Sequence, residues 1–376
     1  MLRFLSFALV AFTLASIHDA NVPLKIRWRN DCKVRIPIGG MALRGRPSSN
    51  SQQVSVNIIS DEADAVLAIL AKRKLNQPLT DADWQNLFAT EGYVRLKKRE
   101  ASLKRSFEDT DFKTFVLSSA LLERAESLAE TLKTWKAADV THAAQLARAY
   151  LPRQAQIKAK IYPVIKPREN SFVFEVDTDP AIFLYLNPAE SKAKFENTLA
   201  HELHHIGYGT ACPTKQTSTQ IERLPRNVQT VIRYIGAFGE GFAMLAAAGG
   251  PNLHPHALSE AKDRIRWDRD VGNFNNDLKK VEQFFMDVLA SRLSDDEINN
   301  AVSSFFGEQG AWYTVGWKMC VTIEKTFGRR ALIEAMCDQR KLLSLYNRAA
   351  AQYNRKSRAP LRLWSSTLIR AIQTAT

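Results

Sequence analysis

One long amphipathic helix is the strongest constraint in this 376-residue sequence, and it contains the stretch LAHELHHIG, Leu199–Gly207. Asn187 is a favoured N-cap residue, and Glu190 can reach back to that cap from the third helical position. A proline suits the first helical position, and Gly209 is a natural left-handed stop. These signals together predict a helix over Pro188–Tyr208.

The two sides of this helix differ in polarity. At about 100° per residue, His201 and His205 lie about 40° apart and project from one face. Glu202 flanks this face beside His205, and His204 lies on its other side, beyond His201. The opposite face is apolar and is expected to face the core; it carries Phe195, Leu199, Leu203 and Ile206.

The histidine face matches the motif H-E-x-x-H. Two imidazole nitrogens one turn apart can bind one zinc ion at about 2.0–2.1 Å. Zinc lowers the pKa of a water ligand to about 7, so Glu202 can take its proton as the water attacks a carbonyl group. The glutamate then passes the proton to the leaving nitrogen. A His201–His204 pairing is an alternative, but only the His201–His205 pairing gives Glu202 a role. His204 is therefore expected behind the ligands or at the surface.

A catalytic zinc site has three protein ligands and one open position, so a third ligand must lie elsewhere in the chain. Tyr208 and Ala211 stand where the extended motif H-E-x-x-H-x-x-G-x-x-H needs Gly and His, which excludes that subclass. Glu240 is the better candidate, because it is the acidic residue of GEGFAMLAAAGG, a helix of small residues suited to close packing. Three rival ligands rank lower: His254, His256 and Glu260.

The rest of the chain predicts an α+β fold that is mainly α. Helical patterns fill residues 58–151, where Thr80–Asp83 resembles a capping box, and they return after the strands, where Ser294–Glu297 is another. Three segments rich in Ile, Val, Phe and Tyr predict strands: IKAKIYPVI, NSFVFEV and AIFLYL. The predicted divisions are a signal peptide (1–20), a basic irregular leader (21–57), a helical region (58–151) and a second domain (152–376).

The N-terminus has the pattern of a secretory signal peptide. Arg3 provides a positive start, and Phe4–Leu14 is almost wholly apolar. This pattern predicts a secreted or periplasmic protein. No uninterrupted apolar run beyond it reaches the roughly 18 residues of a membrane-spanning helix, so the mature chain is not expected to cross a membrane.

The net charge of +13 favours anionic partners, and contact with an anionic envelope surface is one expectation. A nucleic-acid partner is not expected, because export argues against it and no basic stripe with interleaved aromatic residues is present. A solvated basic surface explains the charge equally simply.

The chain has four cysteines, which are Cys32, Cys212, Cys320 and Cys337. They form no C-x-x-C pair, so a structural zinc knuckle is not expected. In an oxidising compartment they could form up to two disulfides, with three connectivities, and buried free thiols are the alternative.

Three stretches, KFENTLAHELHHIG, GEGFAMLAAAGG and GAWYTVGWKMCVTIEKTFGR, resemble a bacterial domain-of-unknown-function family described as zinc-dependent peptidases. The resemblance spans roughly residues 53 to 350, and its motif places the family with the glutamate-ligand zincins, of which thermolysin is the familiar example. It implies a Zn²⁺ cofactor, a zincin-like metallopeptidase domain over 152–376 and a peptide or protein substrate. It further implies His201 and His205 as ligands, Glu202 as catalytic base and Glu240 as third ligand.

Zincins also stabilise the oxyanion of the reaction with a Tyr or His donor. Tyr313 in WYTVGW is our choice, and a packed aromatic residue beside its tryptophan neighbours is the alternative. His254 is a weaker candidate. An exposed edge strand, SFVFEV or AIFLYL, could align the substrate by strand addition. The sequence thus predicts zinc-dependent peptide hydrolysis, and the alternative is a non-catalytic metal-binding or envelope interaction protein that retains the zinc site.

Overall fold

The computed structural model describes residues 53–373, which form eighteen α-helices around one small sheet. This arrangement confirms the predicted α+β, mainly α fold class. The predicted signal peptide, the leader up to residue 52 and Cys32 lie outside the described residues.

The helices of the described residues form two groups, one between the first and second strands and one after the last strand. The seven between the first two strands are α1 (Asp61–Lys74), α2 (Asp81–Phe88), α3 (Glu91–Ser102), α4 (Asp109–Val116), α5 (Ser119–Glu123), α6 (Ala125–Lys136) and α7 (Val140–Arg148). Those that follow the last strand are α8 (Lys192–Ala211), α9 (Lys215–Glu222), α10 (Arg226–Ile235), α11 (Gly239–Ala248), α12 (Ala261–Gly272), α13 (Phe274–Leu289), α14 (Asp295–Phe306), α15 (Ala311–Phe327), α16 (Arg329–Met336), α17 (Gln339–Asn354) and α18 (Ser366–Gln373).

Both predicted capping boxes are present in the structure. The backbone N–H of Thr80 donates to the Asp83 carboxylate at 2.8 Å and opens α2. Ser294 and Glu297 bond reciprocally at the start of α14, at 2.8 Å and 3.3 Å. Each box satisfies backbone donors that the first turn of a helix leaves free.

The sheet has four strands, β1 (Val54–Ile58), β2 (Ile157–Val164), β3 (Phe172–Phe174) and β4 (Ala181–Tyr185), in the order β1-β2-β4-β3. β1 and β4 pair parallel to β2, and β3 pairs antiparallel to β4. The three predicted strands are confirmed. Residues 54–57, which we expected to be irregular, instead begin the edge strand β1, because alternate side chains of VSVNI face the core.

The order of the strands also bears on substrate alignment. AIFLYL contains the interior strand β4, whereas SFVFEV contains β3 at an edge of the sheet. Only β3 of these two therefore has a free edge to add another strand. Strand addition itself stays a prediction.

Helix α8 differs from its prediction at both ends. The Asn187 side chain accepts from the backbone N–H of Ala189 at 3.1 Å, which makes a separate turn before the helix. Ser191 is the true N-cap and accepts from the Lys194 N–H at 3.2 Å. The helix passes through Gly209 and stops at Cys212, because the next residue is a proline, which disfavours helical geometry at Cys212.

The predicted apolar face of α8 is confirmed as a core face. Phe195, Leu199, Leu203 and Ile206 are all at most 2% exposed. They join one apolar core with side chains from α1–α7 and from β2 and β4. That core contains side chains from both sides of residue 151. The predicted domain division at 151 stays a prediction. A second core lies among the helices that follow α8.

A disulfide joins Cys212, at the end of α8, to Cys337, at the end of α16. The two residues are 125 positions apart in the chain. Among the cysteines of the described part, Cys320 is free and buried. The sequence left the pairing open, and the fold brings one pair together.

The run Arg226–Ala248, which contains α10 and α11, is long and apolar enough to cross a membrane by length and composition. Its most apolar window is 72% buried inside the structure, as in the core helix of a folded domain. Counting only uninterrupted apolar residues overlooks this run, because polar residues of α10 interrupt it.

Candidate metal centre

Three side chains from two helices converge on one point. His201 and His205 project from α8, one turn apart, and their Nε2 atoms lie 3.0 Å from each other. Glu240, in the first turn of α11, places Oε2 at 3.2 Å from His201 Nε2 and 3.4 Å from His205 Nε2. Both histidine side chains are 12% exposed and Glu240 is fully buried.

These distances fit a tetrahedral zinc site. Ligand atoms that each lie 2.0–2.1 Å from the ion are about 3.3 Å apart in a tetrahedron. The three observed separations, 3.0 to 3.4 Å, bracket that value. A metal ion would also resolve the crowding of two imidazole nitrogens and a carboxylate, which cannot all pair with one another through hydrogen bonds. The group could therefore hold a metal ion.

The small residues of α11 let this helix pack very closely, as the sequence predicted, but mainly against α15. A Cβ atom on Gly241 would lie 2.0 Å from the backbone nitrogen of Trp317. On Gly316 of α15 it would lie 2.8 Å from the carbonyl oxygen of Phe238. Both helices thus need glycine at their crossing, which fixes where Glu240 stands.

Helix α11 is also tied to α8 by a polar contact that the sequence analysis missed. The Asn197 side-chain amide donates to the carbonyl oxygen of Ala247 at 2.9 Å. Asn197 lies one turn before His201 on the same side of α8, which was the available signal. A second contact is aromatic, between the His204 and Phe242 rings, whose centroids are 4.6 Å apart.

The charge of Glu240 is set by the two imidazoles. Burial alone would raise the pKa of this carboxyl group, but His205 and His201 lower it to about 2. Burial opposes the charged form of His205, and the Glu240 carboxylate more than offsets it, so the pKa of His205 is raised. Glu240 is therefore a carboxylate at neutral pH, the state in which it can bind a cation.

Glu202 lies beside this group and is 2% exposed. Its Oε2 atom has no hydrogen-bond partner within residues 53–373. Burial raises the pKa of Glu202, the histidines lower it, and the charge of Glu240 raises it again, with a net increase. Two neighbouring carboxyl groups thus have pKa values displaced in opposite directions, which is a common basis for dividing roles at a catalytic site.

His204 is buried, at 1% exposed, so the expectation of a surface position is wrong and a position behind the ligands is correct. Burial lowers the pKa of its imidazole well below the ordinary value, and the neighbouring His205 and His201 lower it further. The neutral ring packs against Phe242. The helical wheel placed the ring to one side, but only the fold shows that α11 covers that side.

Tyr313, in the first turn of α15, lies over the metal group. Its ring is stacked 6.3 Å from the His201 ring, and the residue is 5% exposed. Burial and the charges of Glu240 and Glu202 raise the pKa of the phenol well above its usual value. The hydroxyl therefore stays protonated and can donate a hydrogen bond near the metal group.

The three rival ligands lie outside the group. His254 contacts Asp268 at 3.1 Å, and His256 contacts the Ser259 hydroxyl at 3.0 Å. Glu260 stands at the N-cap of α12 and pairs with Lys262 at 2.8 Å.

An H-E-x-x-H helix whose two histidines face a buried glutamate of a second helix is an arrangement that could hold a metal ion, as in zinc-binding proteins. Comparison with known families makes the assignment specific: the chain belongs to the DUF5700 family, described as "Putative zinc dependent peptidase", which matches residues 84–355. The resemblance seen in the sequence is thereby confirmed. Searches of the curated proteins and of the solved structures give no match.

Family membership identifies the cofactor, the kind of enzyme and the class of substrate. The family is described as zinc dependent, so zinc is the cofactor, and the His201, His205 and Glu240 group could hold it. The protein belongs to a peptidase family, and a peptide or protein is its class of substrate.

Proposed function

We propose that this protein is a glutamate-ligand zinc metallopeptidase that hydrolyses peptide bonds. His201, His205 and Glu240 would hold the ion through Nε2, Nε2 and Oε2. The observation that carries the proposal is the triangle of these three atoms, with sides of 3.0 to 3.4 Å, beside the buried carboxyl group of Glu202. When bound, zinc supplies Lewis acidity, which acidifies water and polarises the scissile carbonyl group.

Glu202 is the proposed general base and acid. Its Oε2 atom accepts a proton from the attacking water as the water oxygen bonds to the carbonyl carbon. It then gives this proton to the amide nitrogen as the C–N bond breaks, so the carboxylate is regenerated. A raised pKa suits both steps, because the group must hold the proton between them. The free Oε2 atom is the available acceptor.

Tyr313 is the proposed donor to the oxyanion. Its position over His201, its burial and its raised pKa support this role, because the hydroxyl keeps its proton throughout the reaction. A protonated hydroxyl near the reacting carbonyl group would stabilise the negative charge that develops on its oxygen. The alternative, a tyrosine that only packs, predicts that a Tyr313→Phe variant keeps its kcat.

We also propose that the protein is secreted or periplasmic. Two observations support it: the signal-peptide pattern of residues 1–20 and the Cys212–Cys337 disulfide. Disulfides persist in oxidising compartments and are rare in the reducing cytosol. Detection of the protein in the periplasm or medium, without about 20 residues at its N-terminus, tests this proposal.

Cleavage of a diverse peptide library tests the proposed activity. Full-length protein should cleave some peptides, lose the activity with a chelator and regain it with added zinc. A protein that holds zinc and cleaves no peptide would be the non-catalytic metal-binding alternative. Cleavage that survives complete zinc removal would contradict the proposed mechanism.

A further inference from the structure

The positive charge of this protein is distributed unevenly along the chain. Residues 53–328 have a net charge of −1, although they include the metal group and the whole sheet. Residues 329–376 contain ten Lys or Arg residues and two acidic residues, which gives this shorter segment a net charge of +8. A charge asymmetry of this kind is typical of proteins that contact an anionic surface.

The densest part of this charge is the connection between α17 and α18, Arg355–Arg362, which we call the basic loop. Its sequence is RKSRAPLR, so four of its eight residues are Arg or Lys and none is acidic. Arg355, Lys356 and Arg358 are exposed, and none of the three forms an ion pair with any part of the described chain. Arg362 differs, because it pairs with the buried Glu282 at 3.2 Å.

Hydrogen bonds fix both ends of the basic loop. Asn354, the last residue of α17, accepts from the N–H of Leu361 at 2.7 Å and donates to its carbonyl oxygen at 2.8 Å. Asn275 of α13 accepts from the N–H of Arg362 at 2.7 Å and donates to the carbonyl oxygen of Pro360 at 3.0 Å. The ends of the loop therefore meet, so its three exposed cations belong to one closed loop and not to an extended tail.

Exposed apolar side chains stand at both ends of the basic loop. Tyr353 lies before it and is 45% exposed, and Leu363 follows it and is 40% exposed. Cations beside exposed apolar side chains suit the boundary between the headgroups and the acyl chains of a membrane. A nucleic acid would instead be favoured by aromatic side chains between the cations, and residues 354–362 contain no aromatic residue.

The dipole of α17 explains only part of this pattern. A cation near the C-terminus of a helix is stabilising, which accounts for Arg355 and Lys356 directly after α17. This effect falls off within about one turn, so it does not account for Arg358 or for the exposed Leu363. The remaining features fit a partner that offers both negative charge and an apolar interior.

We propose that the basic loop, together with Tyr353 and Leu363, is a surface that binds an anionic phospholipid membrane. Its three free cations contact the headgroup phosphates, and the two apolar side chains enter the region between headgroups and acyl chains. The family match ends at residue 355, where this loop begins, and the metal group takes no part in the surface. The proposal is therefore independent of the proposed peptidase function.

Co-sedimentation of full-length protein with vesicles of phosphatidylcholine and phosphatidylglycerol tests this surface. The loop variant, Arg355→Gln/Lys356→Gln/Arg358→Gln, should bind about 100-fold more weakly than wild type, because each cation near an anionic surface strengthens binding about five-fold. If circular dichroism shows that the loop variant does not fold, Arg358→Gln alone should bind about five-fold more weakly. Wild-type binding by the folded variant would overturn the proposal.

Lys74→Gln/Lys133→Gln/Lys158→Gln is the matched control, because it removes the same charge from exposed lysines of α1, α6 and β2. It should bind the vesicles as wild type does, since charges farther than about 8 Å from the membrane are screened at physiological salt. Both triple variants keep residues 1–52, so the difference between them measures the basic loop. An equal loss in both would show a general effect of net charge and overturn a specific surface.

Leu363→Ser distinguishes a membrane from a soluble polyanion. It should weaken vesicle binding at least about four-fold, the effect of one buried methylene group, and leave binding to soluble polyphosphate unchanged. Unchanged vesicle binding by Leu363→Ser, with equal losses of vesicle and polyphosphate binding in the loop variant, would assign the surface to a soluble polyanion. The proposal of a membrane surface would then be wrong.

Discussion

Glu62 and Glu240 are both almost completely buried, yet the pKa values of their carboxyl groups move in opposite directions. Glu62, in the first turn of α1, has a pKa raised to about 8, mainly because burial disfavours its charge. Glu240 has a pKa lowered to about 2, because two imidazoles face it. Burial alone therefore does not identify a functional glutamate; the groups that face it do.

The surroundings of each residue explain the difference. Glu62 accepts one hydrogen bond, from the backbone N–H of Ile165 at 3.0 Å, and a protonated carboxyl group satisfies this contact. Glu240 lies within 3.4 Å of His201 and His205, and these two imidazoles favour the charged form of its carboxyl group. Glu62 thus bonds to the backbone of the segment that follows β2, whereas Glu240 is a carboxylate that could bind a cation.

The largest effect on activity is expected from substitution of a third buried glutamate, Glu202. Glu202→Gln should lower kcat/KM by at least about 100- to 10,000-fold, because an amide cannot accept and return the proton. Bound zinc should be unchanged, as measured by metal analysis of the same sample. Glu196→Gln, the same change at a partly exposed position of α8, is the control and should retain activity. Full activity in Glu202→Gln would remove the proposed base.

Glu62→Gln should change stability in a pH-dependent way. Below pH 4.5 both the folded and unfolded chains hold the Glu62 proton, so its burial carries no charge penalty. Between pH 4.5 and about 8 the unfolded chain loses this proton first, so the contribution of Glu62 to stability falls as the pH rises. At about 1.4 kcal/mol per pKa unit, the loss is up to about 5 kcal/mol at pH 8.

Urea unfolding of wild type and Glu62→Gln at pH 5 and pH 8 measures this effect. The variant should gain stability relative to wild type at pH 8, and the gain should shrink at pH 5. A difference that does not depend on pH would show that the Glu62 carboxyl group does not titrate abnormally, and the comparison with Glu240 would lose its basis.

Gly241→Ala should destabilise the fold by about 3 kcal/mol or more, because the new Cβ atom would overlap backbone atoms of Trp317 and Gly316. Gly239→Ala, two residues earlier, is the matched control, since a Cβ atom there meets nothing within 4 Å. The control should be neutral or stabilising by up to about 1 kcal/mol. Thermal unfolding distinguishes the two, and equal effects would contradict the close crossing of α11 and α15.

Local patterns predicted much of this molecule. The core face of α8, the three strands and both capping boxes follow from periodicity and side-chain chemistry within a few residues. The sequence also singled out His201, His205 and Glu240, which the fold brings together. Their roles as ligands, and those of Glu202 and Tyr313, stay predictions.

Long-range packing set the remaining features. Helix α8 begins later than predicted. Asn187 and Ser191 are both residue types that favour an N-cap, and only the path of the chain after β4 decides that Ser191 is the cap. The burial of His204 and the glycine crossing depend on where α11 and α15 lie. The pairing of Cys212 with Cys337 depends on a contact across 125 residues, which spacing alone does not reveal.

Zinc binding by wild type and Glu240→Gln tests the central claim most directly. Titration of metal-free, full-length protein with zinc should give one site per chain in wild type. Glu240→Gln should bind zinc more than about 100-fold more weakly, because loss of a direct ligand should exceed the 10- to 100-fold effect of losing an outer partner. Wild-type affinity in the variant would contradict the assignment of Glu240 as the third ligand.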